Sequence, residues 1–323
     1  MLATDRHGWN VAAVVLGAVL WGLSGTAASA LFARHHVSPG GLVAIRMTVS
    51  GFVLLTVLAL RRGIPVIWAP LRDSFATLVI FAVLGLLVVQ YTYLLAIAAS
   101  NAATATLLQY LAPAMVVVYV ALQSRTLPAS RTVAALLLTL VGTSLLVTGG
   151  SFTHMALTPL ALTFGLLSAL ALAFYSLYPV KLLRAYGALP VVAWGLLLGG
   201  LALTVGLAAS GRPFLPAHLD LPGLELVAFV IFFGTLLPFP LYLGALNRLS
   251  PTFATILSAA EPLAAAVASV LWLHLRLSPL EWTGGAGIAA GVLLMAGTVR
   301  RASLPQDRGR SGSHPPASLA GRL

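Results

Sequence analysis

Ten stretches of roughly 20 residues run almost without a charge: 11–33, 41–60, 75–98, 102–123, 132–149, 158–180, 189–209, 223–245, 252–273 and 280–299. An α-helix needs about that length to cross the hydrocarbon core of a bilayer. Inside lipid every backbone N–H and C=O must find its partner within the protein, which leaves helices or closed barrels. Barrel strands alternate apolar and polar residues over about 10 positions, whereas these runs are longer and uniformly apolar. Of the 323 residues, 59% are hydrophobic and 8% are charged. A soluble domain carries about 25% charged residues, so this chain has too few to cover a water-facing surface. The expected fold class is all-α integral membrane, with ten transmembrane helices and the lipid bilayer as a partner.

A net charge of +11 in a soluble protein would suggest nucleic acid. Here the placement of the charge argues against a nucleic-acid partner. With the N-terminus put in the cytoplasm, the inner loops and tails collect Arg6, Arg61, Arg62, Arg72, Arg125, Arg131, Lys181, Arg184, Arg248, Arg300, Arg301, Arg308, Arg310 and Arg322. The outer loops hold Arg34, Arg212 and Arg276, and Arg46 lies within a run. This asymmetry is the positive-inside signature. It predicts a multi-pass protein of the cell's inner (plasma) membrane with both termini cytoplasmic.

The sequence also repeats itself. A shift of 149 residues lays 93–113 on 242–262, so that Tyr93 meets Tyr242, Thr106 meets Thr255 and Pro113 meets Pro262. The same shift carries Gly51 onto Gly200, Gly85 onto Gly234 and Gly142 onto Gly291. One offset therefore serves four helices of each half, and the first helix of each half needs a gap. Each half holds five helices, an odd number, so the second copy must enter the membrane upside down. The loop charges follow that topology and not the repeat. The expected organisation is a cytoplasmic tail at 1–10, a five-helix repeat at 11–149, its inverted copy at 158–299, and a disordered Pro/Gly/Ser/Arg-rich cytoplasmic tail at 302–323. Inverted repeats are common in secondary transporters, whose substrate site lies near the midplane between the halves.

Two such halves resemble the EamA-type members of the drug/metabolite transporter superfamily. The motifs that carry the resemblance are "LWGLS" at 20–24, "SPGGLVAIR" at 38–46, "LLQYLAPAMVVV" at 107–118, "LSAAEPLAAAVAS" at 257–269 and "TGGAGIAAGVLL" at 283–294. The resemblance implies a ten-helix inner-membrane carrier, usually an exporter of amino acids or other small metabolites. One departure is visible. The family often closes its fourth and ninth helices with a Leu-Gly-Glu-like turn, and Arg125 and Leu275 stand where the acid would be.

Glu261 is the intramembrane acid, about ten residues into its helix. A carboxylate at that depth costs roughly 2.5–3.5 kcal/mol on insertion scales, so it cannot face lipid cheaply. The cost falls on the charged form. The acid takes a proton in a dry cavity and releases it when the cavity fills with water, which suits proton coupling or the binding of a substrate ammonium. The structural alternative is a neutral packing residue or a permanent partner of an arginine. Pro262 follows at once. It removes a backbone donor and clashes with the preceding turn, leaving carbonyls free near Glu261 and a bend in the helix. Pro113 repeats this in the first half, with Ala112 in place of the acid, and Pro238 and Pro240 bend the eighth helix. These four prolines are candidate hinges.

Arg46 sits some five residues inside its helix from the outer end. It either meets a substrate carboxylate through its planar fork or snorkels to the surface. Thr106, Gln109 and Tyr110 share one face of the fourth helix with Pro113. Ser258 and Glu261 lie three apart on the ninth, Gln90 and Tyr93 three apart on the third, and Trp21 lies at mid-depth on the first. Together they are candidate lining for a pathway with aromatic walls and a few amide handles. The alternative is that they are packing residues with interhelical hydrogen bonds worth about 1 kcal/mol or less. Tyr175 and Tyr178 are read as belt aromatics near the cytoplasmic end.

No cofactor is expected. The histidines fall at helix ends, in loops or in the tail, without the i, i+4 pairing of a membrane metal site. There is no phosphate-binding GxxxxGKS loop and no cysteine. The function expected is that of a secondary active transporter exporting small metabolites such as amino acids by alternating access, with protons as the candidate coupling ion. Uptake or uncoupled facilitated passage stays open. So does, from a different class, an integral-membrane enzyme acting on a lipid-linked substrate, although no cluster of catalytic polar groups is visible at either membrane face. The choice between monomer and homodimer is also open.

Overall fold

The computed structural model describes residues 2–151, 158–211, 216, 219–273 and 276–302. Arg212, Leu275, the histidines at 154, 218 and 274, and the tail beyond residue 302 lie outside the described residues. Every regular element described is helical. Among the described residues ten helices are long and apolar enough to cross a membrane: Gly8–His35, Pro39–Arg62, Phe75–Ala99, Ala103–Ser124, Ser130–Thr148, Pro159–Tyr186, Ala188–Ala209, Leu221–Ala245, Pro251–Ala268 and Pro279–Gly297, here spans 1 to 10. Two features differ from expectation. The first helix starts at Leu2, so residues 2–10 continue span 1. The segment after span 2 is a ten-residue helix, Ile64–Asp73, and not a loop.

Several spans start on the same local chemistry. Ser38, Thr158 and Ser250 each accept a hydrogen bond from a backbone N–H three residues on, and each is followed by proline. The hydroxyl satisfies one orphan donor, and proline at the first helical position gives up a donor that had no partner anyway. Asn101 and Asp220 cap spans 4 and 8 in the same way. Before span 10 the caps are reciprocal. The Ser278 N–H donates to the Glu281 carboxylate at 2.5 Å, and the Glu281 N–H donates to the Ser278 hydroxyl at 3.2 Å, which is a capping box.

The packing carries the inverted repeat. Span 2 lies along span 7, and span 5 lies along span 10, its repeat-related partner in each case. Span 3 packs on span 6 as span 8 packs on span 1, and span 4 touches span 6 as span 9 touches span 1. At the 2–7 crossing, a methyl added to Gly51 would strike the Leu197 backbone, and one added to Gly200 would strike Thr48. At the 5–10 crossing, Gly142 faces Gly284 and Ile288, while Gly291 faces Ala135 and Thr139. Each contact maps onto its mate by the 149-residue shift. Numbers rise along one helix as they fall along the other, so repeat-related helices are antiparallel and the halves are inverted.

Both halves also widen into π-helical turns at matching places, Phe81–Leu87 in span 3 and Phe232–Leu236 in span 8. Each stretch contains one of the repeat-related glycines. Gly85 faces Tyr175 of span 6, and Gly234 faces Ser24 of span 1. Spans 4 and 9 are each interrupted, at Tyr110–Leu111 and Ser258–Ala259. The interruptions fall a few residues before Pro113 and Pro262, where a proline ring forces the preceding turn open.

Candidate functional site

These interruptions and wide turns converge on one cavity. It is lined from spans 1, 2, 3, 4, 6, 8 and 9. Trp21, Arg46, Gln90, Tyr93, Gln109, Ser258 and Glu261 all face it. Thr106 and Tyr110 stand behind that lining. The Tyr93 and Thr106 hydroxyls are 2.9 Å apart. The Tyr110 hydroxyl donates to the main-chain carbonyl of Ser258 and lies 3.4 Å from the Glu261 carboxylate. The polar stripe of span 4 is thus divided, Gln109 to the cavity and Tyr110 to the other half.

Pro262 has no N–H to offer the carbonyl four residues back, which is that of Ser258. Tyr110, from the other repeat, supplies a donor in its stead, alongside the Glu261 N–H at 2.9 Å. Glu261 is then placed by a close approach. A methyl on Gly22 of span 1 would overlap the Glu261 carbonyl oxygen, so glycine lets span 1 press against the turn that carries the acid.

Arg46 is 6% exposed and lines the cavity, so the structure does not carry its side chain to the outer surface. Its Nε has no hydrogen-bond partner, and neither has the Gln90 Oε1. Among the described residues the close contacts between basic and acidic side chains are His35 with Asp220, at 2.7 Å, and Arg72 with Asp73, at 4.0 Å. Arg46 and Glu261 therefore do not neutralise each other directly, and Tyr93 lies within electrostatic reach of both. Gln109 donates to the Ser168 hydroxyl at 2.6 Å, and Gln90 donates to the Leu86 carbonyl at 3.2 Å. Both amides are thereby fixed in orientation.

Four aromatic rings close one end of the cavity. Trp21 lies 5.1 Å from Phe239 and 5.3 Å from Tyr242, and Tyr175 lies 5.6 Å from Tyr242. The Tyr242 hydroxyl meets that of Ser176 at 3.1 Å. Tyr175 is 1% exposed and lines the cavity, which corrects its reading as a belt residue. The sequence signal was available: Gly165, Ser168, Leu172 and Tyr175 lie on one helical stripe, small or polar at its outer end. Tyr178 instead stacks on Phe174, 4.7 Å away.

Beyond Glu261 and Tyr93 the cavity gives way to a vestibule. Its walls include Thr26, Ser29, Thr106, Val147 and Glu281. They come from the C-terminal ends of spans 1 and 5 and the N-terminal ends of spans 4 and 10, all on the face opposite the N-terminus. Glu261, Tyr93 and Gly25 border both chambers. The candidate hinge prolines lie beside breaks in the regular α-helix. Pro113 and Pro262 lie in the first turn after each interruption, and Pro238 opens the helix that follows the π-turns of span 8, with Pro240 two residues on. The missing Pro238 N–H corresponds to the carbonyl of Gly234, a cavity residue.

A model of the EamA-like transporter family matches residues 8–148 and, a second time, residues 159–297. An uncharacterized inner membrane transporter of Salmonella typhimurium, YicL, is 38% identical over 290 residues, covering 89% of this chain and 95% of that protein. A crystal structure of a protein 20% identical superposes with a TM-score of 0.75 over 91% of this chain and 99% of that one, a likeness of fold.

Proposed function

Because the chain belongs to the EamA-like transporter family, we propose that this membrane transporter is a secondary carrier exporting small metabolites, such as amino acids, by alternating access. One observation carries the reading: the two intramembrane ionisable residues, Arg46 and Glu261, line the same cavity between inverted halves, and they are not paired with each other. Buried unpaired charge is expensive in a membrane and marks substrate or ion pathways.

In this reading the Arg46 guanidinium takes a substrate carboxylate, and the free Gln90 Oε1 accepts from a substrate donor. The Trp21, Tyr175 and Phe239 rings hold its apolar part. Glu261 exchanges a proton with the vestibule, with the Tyr110 hydroxyl 3.4 Å from its carboxyl group. The two halves rock about the bends at Pro113, Pro238, Pro240 and Pro262, and the aromatic cluster opens as the vestibule shuts. Its location would be the inner membrane, as the name of the Salmonella relative states for that protein, with both termini cytoplasmic as the loop charges favour.

The test is transport in proteoliposomes with a panel of labelled metabolites, with and without a pH gradient, for wild type and Glu261→Gln. The expected result is gradient-stimulated movement of a small metabolite by the wild type and loss of that stimulation in the variant. An unchanged rate and an unchanged pH response in Glu261→Gln would remove the coupling role.

A further inference from the structure

The Ile64–Asp73 helix plays no part in the cavity, yet it is firmly held. The Trp194 indole N–H of span 7 donates to the Ile67 carbonyl at 2.8 Å, and its ring lies 5.7 Å from that of Trp68. The Ser74 and Tyr186 hydroxyls meet at 2.9 Å. Ile67 and Pro70 are buried against the bundle. Ile64, Trp68 and Arg72, four apart on the opposite side, are all exposed.

The helix packs against Val180–Tyr186, the end of span 6, which belongs to the other repeat. Arg61, Arg62, Arg72, Lys181 and Arg184 are all exposed on these two packed linkers. Asp73 is the one acid in segments 61–74 and 178–190. It lies 4.0 Å from Arg72 with both side chains open to solvent, a geometry that neutralises little. The patch is therefore a concentrated positive field flanked by interfacial tryptophans, on the face that carries the N-terminus.

We propose that these two linkers form a binding platform for the headgroups of anionic phospholipids, one that spans both repeats and holds them together on that face. Basic clusters at the membrane surface attract anionic lipid, and the attraction fades within a Debye length. A headgroup shared between Arg72 of one half and Lys181 or Arg184 of the other would cross-link the halves where they must separate. The platform is independent of what the cavity carries.

The purified full chain, reconstituted in nanodiscs containing phosphatidylglycerol and phosphatidylcholine, is examined by native mass spectrometry after release. Wild type should retain phosphatidylglycerol in preference by about tenfold, and high salt should erase the preference. Arg72→Gln with Arg184→Gln should lower it severalfold, as should Arg62→Gln with Lys181→Gln, so a folding failure in one pair leaves the other. Arg125→Gln with Arg131→Gln, exposed elsewhere on the same face, should leave it intact. Equal loss in all three pairs, or no headgroup preference in the wild type, would overturn the proposal.

Discussion

The hydroxyl of Tyr110 donates a hydrogen bond to the main-chain carbonyl of Ser258, 148 residues away in the other repeat. The bond exists because Pro262 leaves that carbonyl without its helical donor, and it joins the interrupted parts of spans 4 and 9 beside the buried acid. The repeat is thus chemically asymmetric where it matters. Both halves carry the proline, but the second carries Glu261 and the first supplies the tyrosine.

Tyr110→Phe is expected to cost on the order of 1 kcal/mol of stability, read as a lower unfolding midpoint in detergent. Pro262→Ala restores an N–H to the Ser258 carbonyl. The double variant should therefore regain most of the lost stability while transporting more slowly than wild type, because the bend is gone. If Pro262→Ala restores nothing, the carbonyl is not the group at issue.

The antiparallel crossing of spans 2 and 7 leaves no room at Gly51. Gly51→Ala should destabilise the protein by about 1–3 kcal/mol through overpacking. Gly206, on span 7 with nothing near its missing side chain, is the control. Gly206→Ala should be neutral or stabilising by up to about 1 kcal/mol through helix propensity. Thermal unfolding of the two variants side by side decides it, and equal midpoints would contradict the close crossing.

Arg46 tests the substrate's charge. A hydrogen bond to a charged partner is worth about 1.5–3 kcal/mol, so Arg46→Gln should raise KM for a carboxylate-bearing substrate roughly 10- to 100-fold. An uncharged analogue such as the corresponding amide should be little affected. Equal losses for both would make Arg46 a structural residue, and no change for either would remove it from the pathway.

Much of this molecule can be read from its letters, because lipid imposes simple rules. All ten spans lie within a few residues of the apolar runs, and one offset relates the glycines at which repeat-related helices cross closely. Glu261 and Arg46 stand out because charge is rare in such a sequence, and the cavity gathers seven of the polar and aromatic residues picked out on helical faces. What escapes is what depends on geometry between helices. The π-turns have no composition of their own. The Ile64–Asp73 helix hides behind Gly63, Pro65 and Pro70, which look like breakers, although Gly63 ends span 2 at a φ of 82° and Pro65 merely occupies a first turn. Tyr175 is misjudged because its depth along the helix outweighs the stripe of Gly165 and Ser168 that marks its inward face.

The most direct measurement uses the absence of cysteine from the sequence. Gly25 borders both the cavity and the vestibule, and a Cβ there would meet nothing closer than the Tyr93 hydroxyl at 3.6 Å. Gly25→Cys should therefore fold and place one thiol on the pathway. Labelled with a membrane-impermeant maleimide in right-side-out and inside-out vesicles, it should react from both faces, with the ratio shifted by a transported substrate. Reaction from one face alone, unmoved by any substrate, would contradict a cavity that opens alternately between two inverted halves.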